Sequence, residues 1–341
     1  MYKKIISFLF LITLFLISCS NNADTSNKEN SSTNTSTTTT TSSNTDIKMP
    51  KLVDERPDEY KENTITTLNG DEVTYNMNTK KIVATFGSQD VVAFGIKLLA
   101  YEGTTDIEGY EEFYQDAEAL VNSSPISSEE ILSYHPELIL VNEGMSLSNI
   151  KALSKIAPVI PLYTDSIDFE ERLTFIGKIF GLEESANKLI EYSENLKTTM
   201  LKKVKDLGVE GKTLTIFTYF GNGISIPPDR GWFMNVLIYD YMNIQRLDNV
   251  KEFMQDESVV AYSAISAESL KDYEGDLVIF AASGEKKITT YVTENAGWKR
   301  LKAVKENRVG IIDLTPYAQK GIILLYDQYN QIYEALIEAN K

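Results

Sequence analysis

The sequence has a single cysteine, Cys19, and a single histidine, His135, among its 341 residues. One cysteine cannot form an internal disulfide, so the hydrophobic core must hold the fold together. Zinc and manganese sites need clustered histidine and carboxylate ligands, which one histidine does not supply. His135 stands in YHPEL at a helix-to-strand turn, where we interpret it as structural. Haem bound through histidine is disfavoured for the same reason, with Met145 and Met234 as the alternative axial ligands.

The motifs of common enzymes are also missing. The sequence has no G-x-S-x-G nucleophile motif, no phosphate-binding glycine loop and no second histidine. An exported enzyme is therefore the weaker alternative, and we expect neither catalysis nor a cofactor. Basic residues are in deficit, with 33 Lys and Arg against 49 Asp and Glu, which disfavours nucleic acid as a partner. The acidic surface leaves two interpretations open, solubility and a role in docking.

The amino terminus has the pattern of an export signal. Two lysines precede an apolar run, residues 5–17, that is short for a membrane-spanning helix. The run ends in LISC, which resembles the lipobox of bacterial lipoproteins, so we predict removal of residues 1–18 and acylation of Cys19 with palmitate. A buried thiol is the alternative for Cys19. Residues 19–50 are rich in Ser, Thr and Asn and are predicted to form a disordered tether, because they bury too little apolar surface to offset the entropy of ordering.

The remaining sequence alternates between strand and helix patterns. Residues 64–77 predict a hairpin about Asn69-Gly70. Short apolar runs predict strands at 81–86, 97–102, 137–142, 158–163, 213–219, 276–280 and 308–313. Helical periodicity predicts helices at 168–180, 183–207, 232–242, 266–273 and 321–339. This alternation is typical of mostly parallel sheets with helices on their faces.

We therefore predict an α/β fold with two Rossmann-like lobes, each with a mostly parallel sheet. One long rigid α-helix joins the lobes, and the ligand cleft lies between them. The predicted boundaries are 51–166 for the N-terminal lobe, 167–208 for the helical strut and 209–341 for the C-terminal lobe.

One stretch of sequence occurs twice, once in each predicted lobe. ISSEEILSYHPELIL, residues 126–140, is echoed by ISAESLKDYEGDLVI, residues 265–279. Each copy predicts a short helix that starts at a serine and leads into a buried strand, with Glu129 or Glu268 in the first helical turn. A carboxylate there is favoured by the helix dipole, so helix capping is one interpretation of these glutamates. The other is a matched acidic pair on the rim of the cleft, where helices of a parallel sheet begin. Chance similarity is the alternative explanation of the repeat.

The chain resembles the class III solute-binding lipoproteins of ABC importers, in the ferric-siderophore and cobalamin branch. The resemblance covers residues 60–341 and is carried by KKIVATFGSQDVVAFGIKLLAYEG, ISSEEILSYHPELILVN, LSKIAPVIPLY, FIGKIFGLEESANKLIEY and GWKRLKAVKENRVGIID. It implies that Glu129 and Glu268 dock onto arginines of a membrane permease, one glutamate in each lobe. It also implies a monomeric receptor outside the cytoplasm, lipid-anchored to the cell membrane, whose partners are a ferric siderophore and an ABC permease.

A siderophore supplies every ligand to its Fe(III), so the protein needs shape, aromatic walls and one or two cationic donors. The predicted ligand-binding residues lie in loops after strands: Ser88, Gln89, Tyr219, Phe220, Arg230, Trp232, Tyr317 and Lys320. Arg230 is the central candidate, because its planar guanidinium can bond paired oxygens. A solvated loop cation is the alternative for Arg230, and packing is the alternative for Trp232.

The number of cations favours one class of siderophore. The sequence has six arginines, of which only Arg230 falls in a predicted cleft loop. Anionic carboxylate siderophores need several cations, so a neutral or cationic hydroxamate complex fits better. Catecholate siderophores, haem and cobalamin stay open, and an adhesin or scaffold that kept the fold is the alternative of a different class.

Overall fold

The computed structural model describes residues 47–102, 109–120, 126–162, 168–220, 223–227, 233–255, 264–282, 288–314 and 321–341. These residues belong to one compact unit, Asp46 to Lys341. The predicted signal sequence 1–18, Cys19 and most of the predicted tether lie outside the described residues. Across the described residues, every helix is too short or too polar to cross a membrane.

An amino-terminal strap, residues 47–56, lies against the first lobe. Gly95 has φ 77°, and a Cβ there would lie 2.6 Å from the carbonyl oxygen of Leu52, so the strap packs where only glycine fits. At the far end of the strap the guanidinium of Arg56 donates to the carbonyl of Met77 at 2.9 Å. The strap leads into the predicted hairpin, which is confirmed: β1 (Glu62–Thr66) and β2 (Glu72–Asn76) pair antiparallel.

The first lobe is built on a five-stranded parallel sheet. Its strands are β3 (Ile82–Ala84), β4 (Ala100–Glu102), β5 (Glu118–Leu120), β6 (Leu138–Asn142) and β7 (Val159–Leu162), in the order β5-β4-β3-β6-β7. Helix α1 (Ser88–Ala93) covers one face, and α2 (Ser128–Ser133) and α3 (Leu147–Leu153) cover the other. Alternate residues of β6 therefore enter two different hydrophobic clusters, Leu138 and Leu140 in one, Ile139 and Val141 in the other.

Two helices form the predicted strut. Helix α4 (Phe169–Phe180) starts where the Asp168 carboxylate accepts a hydrogen bond from the N–H of Glu170 at 2.9 Å, and it ends at Gly181 with φ 65°. Helix α5 (Glu183–Asp206) has 24 residues and is roughly 36 Å long at 1.5 Å per residue. The larger hydrophobic cluster runs from the first lobe through both helices into the second lobe, so the two lobes share a core.

The second lobe has a four-stranded sheet. Its strands are β8 (Leu214–Phe220), β9 (Gly223–Ser225), β10 (Leu277–Ala282) and β11 (Val309–Asp313), in the order β11-β10-β8-β9, with only β9 antiparallel. Its helices are α6 (Phe233–Asn235), which continues as a π-helical turn (Val236–Tyr241), α7 (Asp248–Gln255), α8 (Thr290–Thr293), α9 (Lys302–Lys305) and α10 (Leu325–Ala339). Short 3₁₀ turns occupy Leu270–Tyr273, Trp298–Arg300 and Ile322–Leu324.

The predicted α/β fold with two mostly parallel sheets is confirmed. All seven predicted strands are present with shifted ends, whereas β5, β9 and the helices α1, α3, α7, α8 and α9 were not predicted. The helix predicted at 266–273 is wrong in type: it is a turn followed by a 3₁₀ turn that starts at Leu270. The boundaries at 51–166, 167–208 and 209–341 stay predictions.

Candidate functional site

Ser88 and Gln89 lie at the start of α1, directly after β3, at the edge of the sheet where the strands end. Both side chains are buried. The N–H and hydroxyl of Ser88 donate to the Glu102 carboxylate at 3.1 and 2.9 Å, and the Ser88 and Tyr114 hydroxyls are hydrogen-bonded at 3.1 Å. The contact of Ser88 or Gln89 with a ligand stays a prediction.

Glu102, the last residue of β4, accepts the hydrogen bonds of Ser88 and did not stand out in the sequence. Burial raises the pKa of its carboxyl to about 7, against the opposing effect of the hydrogen bonds from Ser88. The carboxylate of Asp90 nearby raises this pKa further. Glu102 is thus a half-buried acid with a raised pKa at the end of β4, beside the start of α1.

Asp90, also on α1, joins three parts of the molecule. Its carboxylate forms a buried ion pair with Arg172 of α4 and accepts a hydrogen bond at 2.8 Å from the N–H of Ile322, just before α10. The guanidinium of Arg172 also lies over the ring of Phe169, 5.0 Å from its centroid. Because α10 packs on β10 and β11, Asp90 links the N-terminal lobe, the strut and the C-terminal lobe.

The contact between α1 and the start of α10 is close. A Cβ on Gly321 would lie 2.1 Å from the Cβ of Gln89, so glycine is required there. A second polar link lies further along α10, where the Tyr110 hydroxyl donates to the Asp327 carboxylate at 2.6 Å. Burial and this carboxylate raise the pKa of Tyr110. The position of α10 is therefore fixed against the N-terminal lobe at two points.

Tyr219 lies near the carboxyl end of β8, and its ring stacks on that of Tyr291 in α8, with 6.1 Å between centroids and 15° between planes. Tyr219 is half-buried, whereas Tyr291 is 77% exposed. The backbone of Phe220 continues β8 and pairs with Gly223. Tyr291 did not stand out in the sequence, because it belongs to a short helix without an apolar pattern.

Four predicted ligand-binding residues lie outside the described residues: Arg230, Trp232, Tyr317 and Lys320. The chain on either side of the first two is described. The side-chain amide of Asn235 donates to the carbonyl of Pro227 at 3.2 Å, and the ring of Phe233 meets that of Phe169 edge-on at 5.7 Å. Phe233, the first described residue after this segment, thus packs against the first residue of α4.

Glu129 stands where the sequence predicts it, in the first turn of α2 at the carboxyl edge of the first sheet. The hydroxyl of Ser127 accepts a hydrogen bond from the N–H of Glu130 at 3.2 Å, which confirms Ser127 as the N-cap. Glu129 is exposed, and among the described residues its side chain has no ion-pair or hydrogen-bond partner.

Glu268 occupies the equivalent edge of the second sheet. The N–H of Ile265 donates to the carbonyl of Ile224 at 2.8 Å, and Ile224 pairs in register with Tyr219 near the end of β8. The hydroxyl of Ser266 accepts from the N–H of Ser269 at 3.2 Å, so this serine still stabilises a turn although no α-helix follows. Glu268 is exposed and, like Glu129, unpaired within the described part of the chain. Each lobe thus carries a free acid at its carboxyl edge.

The described residues contain no group of three or more His, Cys, Asp and Glu side chains that are placed to hold a metal ion. His135 follows α2 with a left-handed φ of 49°, its side chain exposed. Its backbone N–H donates to the carbonyl of Leu132 at 3.0 Å, which ends the helix. This arrangement agrees with a structural role.

Three comparisons relate this fold to known proteins. A family model described as periplasmic binding protein matches residues 96–315. The iron(3+)-hydroxamate-binding protein FhuD of Bacillus subtilis is 30% identical over 220 residues, which are 62% of this chain and 66% of that protein. The chain therefore spans just under two thirds of that relative's length.

Two solved structures from Staphylococcus aureus share the fold. FhuD2 with bound ferrioxamine B has a TM-score of 0.62 and 20% identity, covering 76% of this chain and 100% of that one. SirA complexed with staphyloferrin B has a TM-score of 0.64 and 20% identity, covering 80% and 98%. At 20% identity these likenesses show a shared fold.

Proposed function

The chain belongs to the periplasmic binding protein family, and from this premise we propose that it captures a ferric siderophore of the hydroxamate type and delivers it to an ABC permease. The family binds substrates outside the cytoplasm, and its members are not enzymes. The main support for a hydroxamate ligand is the 30% identity with an iron(3+)-hydroxamate-binding protein. The stacked Tyr219 and Tyr291 support it, because they supply an aromatic wall for an organic chelate.

Anchoring and delivery are further parts of the proposal. Lipid attachment at Cys19 holds the receptor at the membrane as a monomer, and Glu129 and Glu268 dock onto the permease. Support for docking comes from two exposed acids, Glu129 and Glu268, which are unpaired within the described residues and lie at the carboxyl edges of two similar lobes. Catecholates, haem and cobalamin are the alternative ligands, and titration of the purified protein with each ferric chelate separates them from hydroxamates.

Arg230→Ala is expected to weaken binding of ferrioxamine B by roughly 1.5 to 3 kcal/mol, about a 10- to 150-fold rise in Kd, if the guanidinium bonds the hydroxamate oxygens. Isothermal titration calorimetry measures this Kd. The matched control is Arg300→Ala, because Arg300 is exposed outside the cleft loops. An unchanged Kd for Arg230→Ala removes this residue from the site.

Glu129→Ala combined with Glu268→Ala is expected to leave Kd for ferrioxamine B unchanged and to lower uptake of the labelled iron complex by cells at least tenfold. Removal of both acids abolishes attraction to a basic permease surface but does not touch the cleft. The control changes two other exposed acids, Glu191 on α5 and Glu252 on α7, to alanine. Weaker binding in solution by the Glu129 and Glu268 variant would contradict the docking role.

A further inference from the structure

An aromatic column runs through the second lobe from the core to the edge where β8 ends. Phe217 and Tyr219 are two residues apart on β8, so their side chains leave the same face of the sheet. Phe217 packs edge-on against the buried ring of Trp298, 5.9 Å between centroids, and Phe280 of β10 meets the same Trp298 at 5.4 Å. The lower part of the column is therefore ordinary core packing.

The upper part of the column is different. Tyr219 continues it toward the carboxyl edge, and Tyr291 stacks on Tyr219 as the last ring. Tyr291 leaves 77% of its surface exposed, so the fold gains little from its burial. The stacking holds the ring of Tyr291 nearly parallel to the ring of Tyr219, which strand β8 positions. The result is a flat, preorganised aromatic surface at the edge where ligands bind in α/β sheets.

We propose that Tyr291, stacked on Tyr219, is a ligand-contacting residue that selects chelates with methylene-rich organic segments. This inference rests on the proposed function and deepens it. An aromatic face packs well against methylene groups, whereas it provides no positive charge to bind a small, highly charged polycarboxylate. The wall thus favours hydroxamate chelates, whose hydroxamates are linked by alkyl chains, over ferric citrate.

Tyr291→Ala is expected to raise the Kd for ferrioxamine B at least tenfold and to leave any affinity for ferric citrate unchanged. Tyr291→Phe keeps the ring, so its Kd should stay within about threefold of the wild-type value. The matched control is Tyr60→Ala, another exposed tyrosine (68%) near the hairpin. Calorimetric titration of the full-length protein gives the Kd values, and thermal melting should show equal stability for all variants because both tyrosines are exposed.

The outcomes separate the two proposals. If the wild type binds ferrioxamine B and Tyr291→Ala binds it equally well, the inference is wrong and the proposed function stands. If the wild type binds only ferric citrate, the hydroxamate proposal and the selectivity of the wall both fail. If it binds a catecholate chelate instead, the hydroxamate assignment fails, and the same three variants titrated with that chelate decide the contact role of Tyr291.

Discussion

Asp90→Ala is expected to lower the free energy of unfolding by about 3 to 5 kcal/mol, because it removes the carboxylate of a buried ion pair with Arg172. It also removes the acceptor of the Ile322 N–H, so the link between the N-terminal lobe and α10 is lost. Asp90 and Arg172 are 3% and 7% exposed, so water cannot readily replace either partner. Urea denaturation followed by circular dichroism measures the change.

The control is an ion pair of the same charge type on the surface. Lys188 and Glu184 pair at 3.1 Å on α5 with exposed side chains, and Lys188→Ala should cost less than about 0.5 kcal/mol. Replacement of both buried partners, Asp90→Ala with Arg172→Met, should recover part of the loss because no charge then remains buried. If Asp90→Ala is no more destabilising than Lys188→Ala, the carboxylate does not join the lobes.

Glu102→Gln is expected to raise the free energy of unfolding at pH 8 by about 3 kcal/mol. Burial raises the pKa of Glu102 from 4.5 in the unfolded chain to about 7 in the folded protein. The folded state therefore binds the proton more tightly, so the stability from Glu102 is fully present below pH 4.5 and is lost as the pH rises through 7. Glutamine stays neutral and still accepts the hydrogen bonds from Ser88, so the variant avoids that loss.

The measurement is urea unfolding at pH 5, 6, 7 and 8 for the wild type and Glu102→Gln. The variant's advantage should grow with pH and level off above pH 7. Glu137→Gln is the control of opposite sign, since hydrogen bonds from Thr79 and Lys81 lower the pKa of Glu137. That stability is present above the unfolded pKa and is lost as the pH falls. An equal pH dependence of the wild type and Glu102→Gln would place the titration of Glu102 near its ordinary pKa.

The elements predicted best are those whose apolar pattern is long enough to stand out. Strand β10 is a fully buried apolar run, β6 is buried and apolar up to Asn142, and α5 carries its periodicity over 24 residues. The three residues of β5 and of β9 carry no such pattern, since their pairing depends on neighbours distant in sequence. The prediction of a helix that starts at Ser266 was wrong. The Ser266 hydroxyl is hydrogen-bonded to the N–H and the hydroxyl of Ser269, which closes a local turn. Serine forms the same kind of bond at the start of a helix, so the sequence pattern does not distinguish a turn from a helix.

The positions of some candidate residues in the fold were predictable from the sequence, whereas their roles stay predictions. Glu129 lies in the first turn of a helix, Glu268 in a turn and Tyr219 near the end of a strand, and the sequence predicted a position at a carboxyl edge for all three. Asp90, Glu102 and Tyr291 were missed, because their roles come from contacts with Arg172, Ser88 and Tyr219 across long stretches of chain. No local pattern encodes such pairings.

The amino-terminal strap has a practical consequence. It packs on Gly95, before β4, and on Met77, before β3, so it lies at the edge where the parallel strands begin. Ser88, Gln89 and Glu129 stand at the opposite edge. A surface linkage attached directly at residue 47 would therefore be joined at the edge opposite the proposed binding residues.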